Sequence, residues 1–113
     1  AFKFEKLRVW QESVKFSSEI YFKQNNFLKE EFGFTSQLNR AAVSTSVNSA
    51  EGYGRGSDAD VAGFLQIAIG SFNEVVTLLF IGLEQKYLDK KTFDAYYMNC
   101  DELSKMLFPL EIF

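Results

Sequence analysis

The sequence of 113 residues contains no histidine, one cysteine and one proline. Histidine is the commonest general base and a favoured metal ligand, so its absence excludes a Ser-His-Asp triad and most familiar metal centres. The single Cys100 cannot form an internal disulfide, and one thiol cannot build a zinc site. We therefore expect no enzyme activity, no cofactor and no metal, and we expect Cys100 to be a buried, inert thiol.

The chain also lacks a strong charge and a long apolar run. Its 12 basic and 15 acidic residues give a net charge of −3, so any nucleic-acid contact would need a local basic patch. The apolar content of 47% is too high for a disordered chain, whereas the longest apolar runs, such as residues 75–83, are too short to span a bilayer. No secretory pattern opens the sequence. We expect one soluble, cytoplasmic domain over residues 1–113, with no membrane role.

Nearly every long segment repeats its apolar residues at helical spacing, and none alternates as a strand does. The sequence predicts an all-α, antiparallel up-and-down four-helix bundle with turns near residues 24–34, 52–57 and 86–91, and a last helix that is disrupted at Pro109. The predicted core faces are Leu7, Trp10, Val14, Ser17 and Tyr21 in the first helix, with Val9, Phe16 and Ile20 beside them, Leu38, Ala41, Ala42, Val47 and Ala50 in the second, Val61, Leu65, Ala68, Phe72, Val75, Leu79 and Gly82 in the third, and Phe93, Tyr97, Cys100, Leu103 and Leu107 in the fourth.

The third helix carries a second apolar stripe, Ile69, Val76, Phe80 and Leu83. A helix that is apolar on more than one side must be covered on more than one side, which a small four-helix domain can hardly achieve alone. Its remaining face is small or uncharged, which suits close packing: Gly63, Gln66, Gly70, Asn73 and Thr77. We predict that the bundle oligomerises through its helix faces, with the second stripe as the oligomer face.

Residues 48–57, NSAEGYGRGS, contain three glycines and an arginine. A loop of this composition can cradle a phosphate or simply turn the chain, but phosphate loops follow a strand, and this one follows a predicted helix. We interpret Gly52 as a left-handed helix end and Ser57 with Asp60 as a capping box for the next helix. Arg55 is then available as an exposed contact at the turn.

Polar residues line one side of the second helix at spacings of three and four: Gln37, Arg40, Ser44, Asn48 and Glu51. Small residues between them allow a neighbouring helix to approach closely. The pattern predicts a partly buried polar seam.

Four segments occur in a distinctive order: FEKLRVWQESVKFSSEIY, FGFTSQLNRAAVSTSVNSAEGYGRGS, FLQIAIGSFNEV and a final amphipathic helix. In this the sequence resembles a bacterial family of four-helix-bundle proteins encoded in intervening sequences of 23S rRNA genes. That family is similar to the accessory protein of diversity-generating retroelements, which forms a five-membered ring and engages a reverse transcriptase and nucleic acid. The resemblance implies a homopentamer and establishes no biochemical activity.

The family motifs match Gln37, Arg40, Asn48, Glu51, Gly52, Ser71 and Glu74. The resemblance thus adds Ser71 and Glu74 to the seam, where we expect a half-buried Glu74 and a pair between Arg40 and Glu74 or Glu51, within one chain or across a subunit boundary. Alternatively, Glu51 and Glu74 could act together as a general acid and a general base. We disfavour this alternative because the two residues lie near opposite ends of an antiparallel pair of helices.

Two functions stay open. The first is an oligomeric, nucleic-acid-associated protein that contacts RNA or DNA through basic residues on one rim or face, with Lys3, Lys6, Arg8 and Arg55 as candidates. The second is an assembly scaffold that binds a protein partner and has no nucleic-acid role.

Overall fold

The computed structural model describes residues 1–23, 32–53 and 58–111, and every regular element in these ranges is helical. A short 3₁₀ helix, Lys3–Lys6, precedes four α-helices: α1 (Arg8–Lys23), α2 (Phe32–Tyr53), α3 (Asp58–Glu84) and α4 (Lys90–Glu111). This confirms the predicted all-α, four-helix architecture.

Contacts between helix ends show that consecutive helices run antiparallel. The start of α2 meets the end of α3, where Phe34 packs beside Gly82, and the end of α2 meets the start of α3, where Gly52 packs beside Phe64. The side chain of Ser17 in α1 donates to the carbonyl oxygen of Ala42 in α2 (2.8 Å). The ring of Phe16 meets that of Tyr96 at 6.0 Å, which joins α1 to α4 and closes the bundle.

The core is one cluster to which all four helices contribute. The predicted stripe of α3 is confirmed, since Leu65, Ala68, Phe72, Val75 and Leu79 are all buried. Around it lie side chains of the other three helices: Val9, Phe16, Ile20, Phe34, Leu38, Ala41, Ala42, Phe93, Tyr96, Cys100, Leu103 and Leu107.

Three predicted faces were partly wrong. In α1, Val14 and Tyr21 are exposed, and the core side is formed by Val9, Ser13, Phe16 and Ile20. In α2, Val47 is 50% exposed, and in α4 Tyr97 is exposed while its neighbour Tyr96 is only 2% exposed. In α1 the core lies about one residue away from the predicted stripe, whereas in α2 and α4 most of the predicted stripe is buried and single residues differ; in each case adjacent apolar residues offered two possible faces.

Buried hydroxyls occupy positions of α2 that a hydropathy pattern assigns to the surface. Thr45 and Ser49 are fully buried. Thr45 Oγ1 donates to the carbonyl of Ala42 (2.6 Å), and Ser49 Oγ donates to that of Thr45 (2.6 Å). These bonds within the helix satisfy the hydroxyls, so such small side chains can face the core.

Two helix boundaries differ from the prediction. Helix α2 begins at Phe32, three residues before Thr35, and includes Gly52, which is therefore not a left-handed end. A Cβ at Gly52 would lie 3.0 Å from the Cβ of Phe64, so the glycine permits the close approach of α3. Helix α4 continues past Pro109 to Glu111, so the expected disruption does not end the helix at the proline; Pro109 removes one backbone hydrogen bond to the carbonyl four residues earlier, and only two helical residues follow it. Gly54 and Gly56 of the predicted turn, and the predicted cap residue Ser57, lie outside the described residues.

The turn from α3 to α4 falls where it was predicted. Lys86 adopts a left-handed φ of 62°, and the N–H of Tyr87 donates to the carbonyl of Gly82 (2.8 Å), which is a Schellman ending of α3. Asp89 then caps α4, since its Oδ1 accepts the N–H of Thr92 (2.8 Å). That bond is the main reason why the pKa of Asp89 lies below its ordinary value.

Helix α3 corrects the expectation about membrane-spanning length. By length and composition alone, Ala59–Glu84 is apolar enough to cross a bilayer, although core helices of soluble proteins meet the same criterion. The expectation counted unbroken apolar runs, whereas the glycines and small polar residues of α3 interrupt the run without making the helix strongly polar.

Candidate functional site

A small-residue hydrogen-bond chain joins α2 to α3 on the outer side of the bundle. Asn48 Nδ2 donates to Ser44 Oγ (2.9 Å), the hydroxyls of Ser44 and Ser71 lie 2.8 Å apart, and Ser71 Oγ donates to the carbonyl of Ile67 (3.0 Å). The chain lets both helices pack closely, because short side chains satisfy one another without a bulky partner. It brings two of the predicted seam residues, Asn48 and Ser71, together through Ser44.

The other four seam residues are exposed: Gln37, Arg40, Glu51 and Glu74. The expectation of a half-buried Glu74 was therefore wrong, because it lies on the side of α3 away from the core. None of the ion pairs in the described part of the chain joins Arg40 to Glu74 or Glu51. A pair across a subunit boundary stays a prediction.

The predicted oligomer face is largely covered by the chain itself. Ile69, Val76 and Leu83 are partly buried and pack against the core cluster, since the apolar arc of α3 is wide enough to face both α2 and α4. Phe80 is the exception, at 52% exposure. The argument that this stripe requires a second subunit therefore holds for Phe80 alone.

Phe80 belongs to an aromatic cluster between α3 and α4, which we call the α3–α4 patch and define as the exposed rings of Phe80 and Tyr97 together with the buried ring of Phe93 that packs against both. The ring of Phe80 meets that of Phe93 at 4.9 Å and that of Tyr97 at 6.1 Å. Met98, the residue after Tyr97, is 53% exposed. The sequence analysis assigned both Phe93 and Tyr97 to the core, which is confirmed for Phe93 and wrong for Tyr97.

A second apolar surface, the α1–α2 groove, lies between the first two long helices. Val14 and Tyr21 of α1 face Val43 across a depression of about 580 Å³, and Val47 extends the surface toward the N-terminus. Val14, Tyr21 and Val47 are exposed. The first-helix stripe that was predicted to face the core thus lines this groove. Its residues do share one side of α1, but that side faces the surface groove and not the core.

Three aromatic side chains and Lys3 meet at one end of the α1–α2 groove, in what we call the N-terminal platform (Phe2, Lys3, Phe4 and Trp10), and Lys6 lies in the same 3₁₀ helix. The rings of Phe2 and Phe4 stack at 5.7 Å, and Phe4 meets Trp10 edge-on at 5.0 Å. Phe2 is 70% exposed. Beside the rings, a depression of about 870 Å³ extends to Lys3, Ala50 and Glu51.

The candidate basic residues are only partly brought together. Lys3 and Lys6 are exposed, and neither takes part in an ion pair among the described residues. Arg8 points the other way, into a groove between α1 and α4 that it shares with Glu12, Glu19 and Glu102. Arg55 lies outside the described residues. Lys3 therefore lies at the platform, Lys6 lies in the same 3₁₀ helix, and Arg8 lines a different groove.

The described residues offer little to catalysis. Cys100 is buried, and this burial raises the pKa of its thiol to about 12, so the nucleophilic thiolate is scarce at neutral pH. Burial, with a smaller contribution from Glu19, also raises the pKa of Tyr96 to about 12. Among residues 1–23, 32–53 and 58–111, no group of three or more histidine, cysteine, aspartate or glutamate side chains could hold a metal ion.

Comparisons with known proteins agree with this architecture. The chain is similar to a crystal structure of a protein with unknown function from the S23 ribosomal protein family of Bacteroides thetaiotaomicron. The TM-score is 0.86 at 23% identity, over 93% of this chain and 96% of that one, and this likeness shows the fold alone. No curated protein matches the sequence. A family model described as 23S rRNA-intervening sequence protein matches residues 5–108. Because that match covers nearly the whole chain, the protein belongs to the 23S rRNA-intervening sequence protein family.

Proposed function

We propose that the protein is a non-catalytic, cytoplasmic four-helix bundle that assembles into a homo-oligomer, with five subunits as the family resemblance implies. The observation that carries the proposal is the exposure of large apolar side chains on two separate surfaces, with Phe80 and Tyr97 on the α3–α4 patch and Val47 on the α1–α2 groove. Exposed apolar patches of this kind mark interaction surfaces, because leaving them in water costs free energy that a partner can recover.

The positions of the two surfaces favour one kind of assembly. In an up-and-down bundle, the α1–α2 pair and the α3–α4 pair lie on opposite sides. Two different surfaces that pair with each other make a head-to-tail contact, and such contacts generate rings when the rotation closes. A self-complementary contact would need only one of these surfaces. Pairing of the α1–α2 groove with the α3–α4 patch would therefore give a ring, in line with the five subunits that the family resemblance implies.

Mixing two variants tests this contact. We expect sedimentation equilibrium to give an oligomer for the native chain, and monomers for Val47→Asp and Phe80→Asp alone. Each variant keeps the surface that the other has lost, so an equimolar mixture should form a capped heterodimer if the contact is head-to-tail. Lys91→Gln, on an exposed position of α4, is the matched control. Mixed variants that stay monomeric would contradict the head-to-tail arrangement, provided circular dichroism shows both variants to be folded.

Nucleic-acid association is a second candidate, and the unpaired Lys3 and Lys6 favour it. Elsewhere in the chain, Lys90 pairs with Asp94 and Lys105 pairs with Asp101 (2.9 Å). Real phosphate contacts must weaken steeply as salt rises, because binding releases counterions. In a ring, the platforms of several subunits would act together, which multiplies a weak local contact.

A salt titration on structured RNA and on DNA distinguishes this candidate from the scaffold alternative. Nucleic-acid association would be supported if binding weakens as salt rises and if the Lys3→Gln, Lys6→Gln double variant binds less tightly. An assembled protein that binds neither RNA nor DNA at low salt would instead favour a scaffold for a protein partner.

A further inference from the structure

We infer that the N-terminal platform binds single-stranded nucleic acid, with an unpaired base stacked on the ring of Phe2 and neighbouring phosphates beside Lys3 and Lys6. This inference rests on the nucleic-acid association proposed above and adds the class of nucleic acid and the way it is recognised.

The platform is held in place before any ligand binds. The backbone N–H of Phe2 donates to Oε2 of Glu5 (2.9 Å), and the N–H of Glu5 donates back to the carbonyl of Phe2 (3.1 Å). Gln11 Nε2 then donates to the carbonyl of Glu5 (2.7 Å), which ties the 3₁₀ helix to α1. A fixed ring loses little conformational freedom on binding, so more of the stacking free energy remains as affinity.

The ring stack has one supported side and one open side. Trp10 supports Phe4, and Phe4 supports Phe2, whereas Phe2 itself is the most exposed of these rings. Every nucleic-acid base has a π-face that can stack on an aromatic ring, so such a platform is tolerant of sequence. In a duplex these faces are already stacked on neighbouring bases, which leaves single strands, loops and ends as ligands.

Rings and lysines lie in the same short segment, which suits a ligand that carries both a base and a phosphate. Lys3 lies beside the rings, Lys6 lies two positions after Phe4, and the carboxylate of Glu5 accepts the N–H of Phe2. Glu51 lies at the far edge of the depression, on α2. Phosphates would therefore follow the lysine side of the platform and avoid the α2 side.

Two readouts on the full chain test the inference. The first is the fluorescence anisotropy of a labelled fifteen-nucleotide oligothymidylate, compared with a duplex and with an abasic strand of the same length. The second is the emission of Trp10, the single tryptophan of the chain. We expect the oligothymidylate to bind more tightly than the duplex or the abasic strand and to change the emission of Trp10.

Variants separate stacking from charge. Phe2→Leu keeps an apolar side chain without a π-face and should weaken oligothymidylate binding about five- to hundred-fold, while Phe2→Tyr should retain it. The Lys3→Gln, Lys6→Gln double variant should lower the salt slope by about 1.4, since each phosphate contact on a single strand contributes about 0.7. Lys91→Gln is the control and should change neither readout.

The outcomes distinguish this inference from the nucleic-acid association on which it rests. Salt-dependent binding that is equal for single strand, duplex and abasic strand, and unchanged by Phe2→Leu, would overturn the stacking model but leave nucleic-acid association standing. Absence of binding to all three ligands at low salt would overturn both. All of the substituted side chains are exposed, and circular dichroism would verify that each variant is folded.

Discussion

Replacing single glycines of α3 by alanine provides a direct test of how closely this helix is packed. Gly82 is buried where α3 meets Phe34 and Leu88, and a Cβ placed there would lie 2.6 Å from Cζ of Phe34 and 2.9 Å from Cδ2 of Leu88. Gly70, three turns earlier, has nothing within 4 Å of the same position. The two substitutions are chemically identical and differ only in their surroundings.

The expected free energies have opposite signs. Gly70→Ala should raise the free energy of unfolding of the subunit by about 0.5–1 kcal/mol, because alanine has the higher helix propensity. Gly82→Ala gains the same propensity but overpacks the core, which costs about 1–3 kcal/mol. The propensity contribution cancels when the two variants are compared, so their difference of about 1–3 kcal/mol measures the steric overlap.

Urea denaturation at several protein concentrations is the appropriate assay, because a concentration-dependent midpoint separates assembly from subunit stability. If Gly82→Ala were as stable as Gly70→Ala, the close approach of Phe34 and Leu88 to α3 would be refuted. If Gly70→Ala instead lowered the oligomer mass while stabilising the subunit, its open face would lie in a contact between subunits.

Four further predictions concern single side chains. Lys86→Gly should raise the free energy of unfolding by about 0.5–1 kcal/mol, because glycine relieves the left-handed strain of φ 62° and loses part of that gain to chain entropy; a destabilised variant in urea would contradict the turn geometry. Tyr96→Phe should leave the free energy of unfolding unchanged or raise it by up to about 1 kcal/mol, because the buried hydroxyl of Tyr96 has no hydrogen-bond partner among the described residues. A loss of more than about 1 kcal/mol would instead indicate that this hydroxyl makes a hydrogen bond. Because the pKa of Asp89 is lowered in the native chain, its carboxylate stabilises the fold above about pH 4, and this contribution is lost as the pH falls through the native pKa. The melting temperature of Asp89→Asn should therefore lie below that of the native chain near neutral pH and approach it in acid. Arg40→Ala and Glu74→Gln, both at exposed positions, should each change subunit stability by about 0.5 kcal/mol or less and add independently; a coupling that appears only in the assembled protein would indicate contact across a subunit boundary.

The sequence was sufficient for the fold because long, regularly spaced apolar residues leave few alternatives. On the side of α3 that faces α2, no other set of apolar residues is as long and as regularly spaced as the stripe from Leu65 to Leu79. The structure buries every residue of that stripe. The turn near residues 86–91 was also predictable, since the apolar spacing stops at Leu83 and resumes at Phe93.

Where two apolar residues are adjacent, the sequence does not show which of them faces the core. Tyr96 and Tyr97 are equally acceptable to a periodicity argument, and only packing against Phe16 selects Tyr96 for the core. Burial of Ser13 and Thr45 could not be read from hydropathy, because it depends on how close a neighbouring helix lies. For the same reason Val14 and Tyr21 were assigned to the core, although they line a surface groove.

The candidate site was harder to predict because it depends on which charges find partners. Lys3 and Arg8 look equivalent in sequence, yet the helix places Arg8 among Glu12, Glu19 and Glu102 and leaves Lys3 beside aromatic rings. The sequence FKFEK at residues 2–6, with two phenylalanines and two lysines, is a usable signal for the platform, although the sequence analysis took from it only the lysines.

The central claim is that the chain works as an assembly of identical subunits. Light scattering of the native protein at micromolar concentration, coupled to size-exclusion chromatography, tests it most directly. The account predicts a mass of about 65 kDa, five times the 13.0 kDa of one chain. A mass of 13.0 kDa at every concentration up to the micromolar range would contradict it.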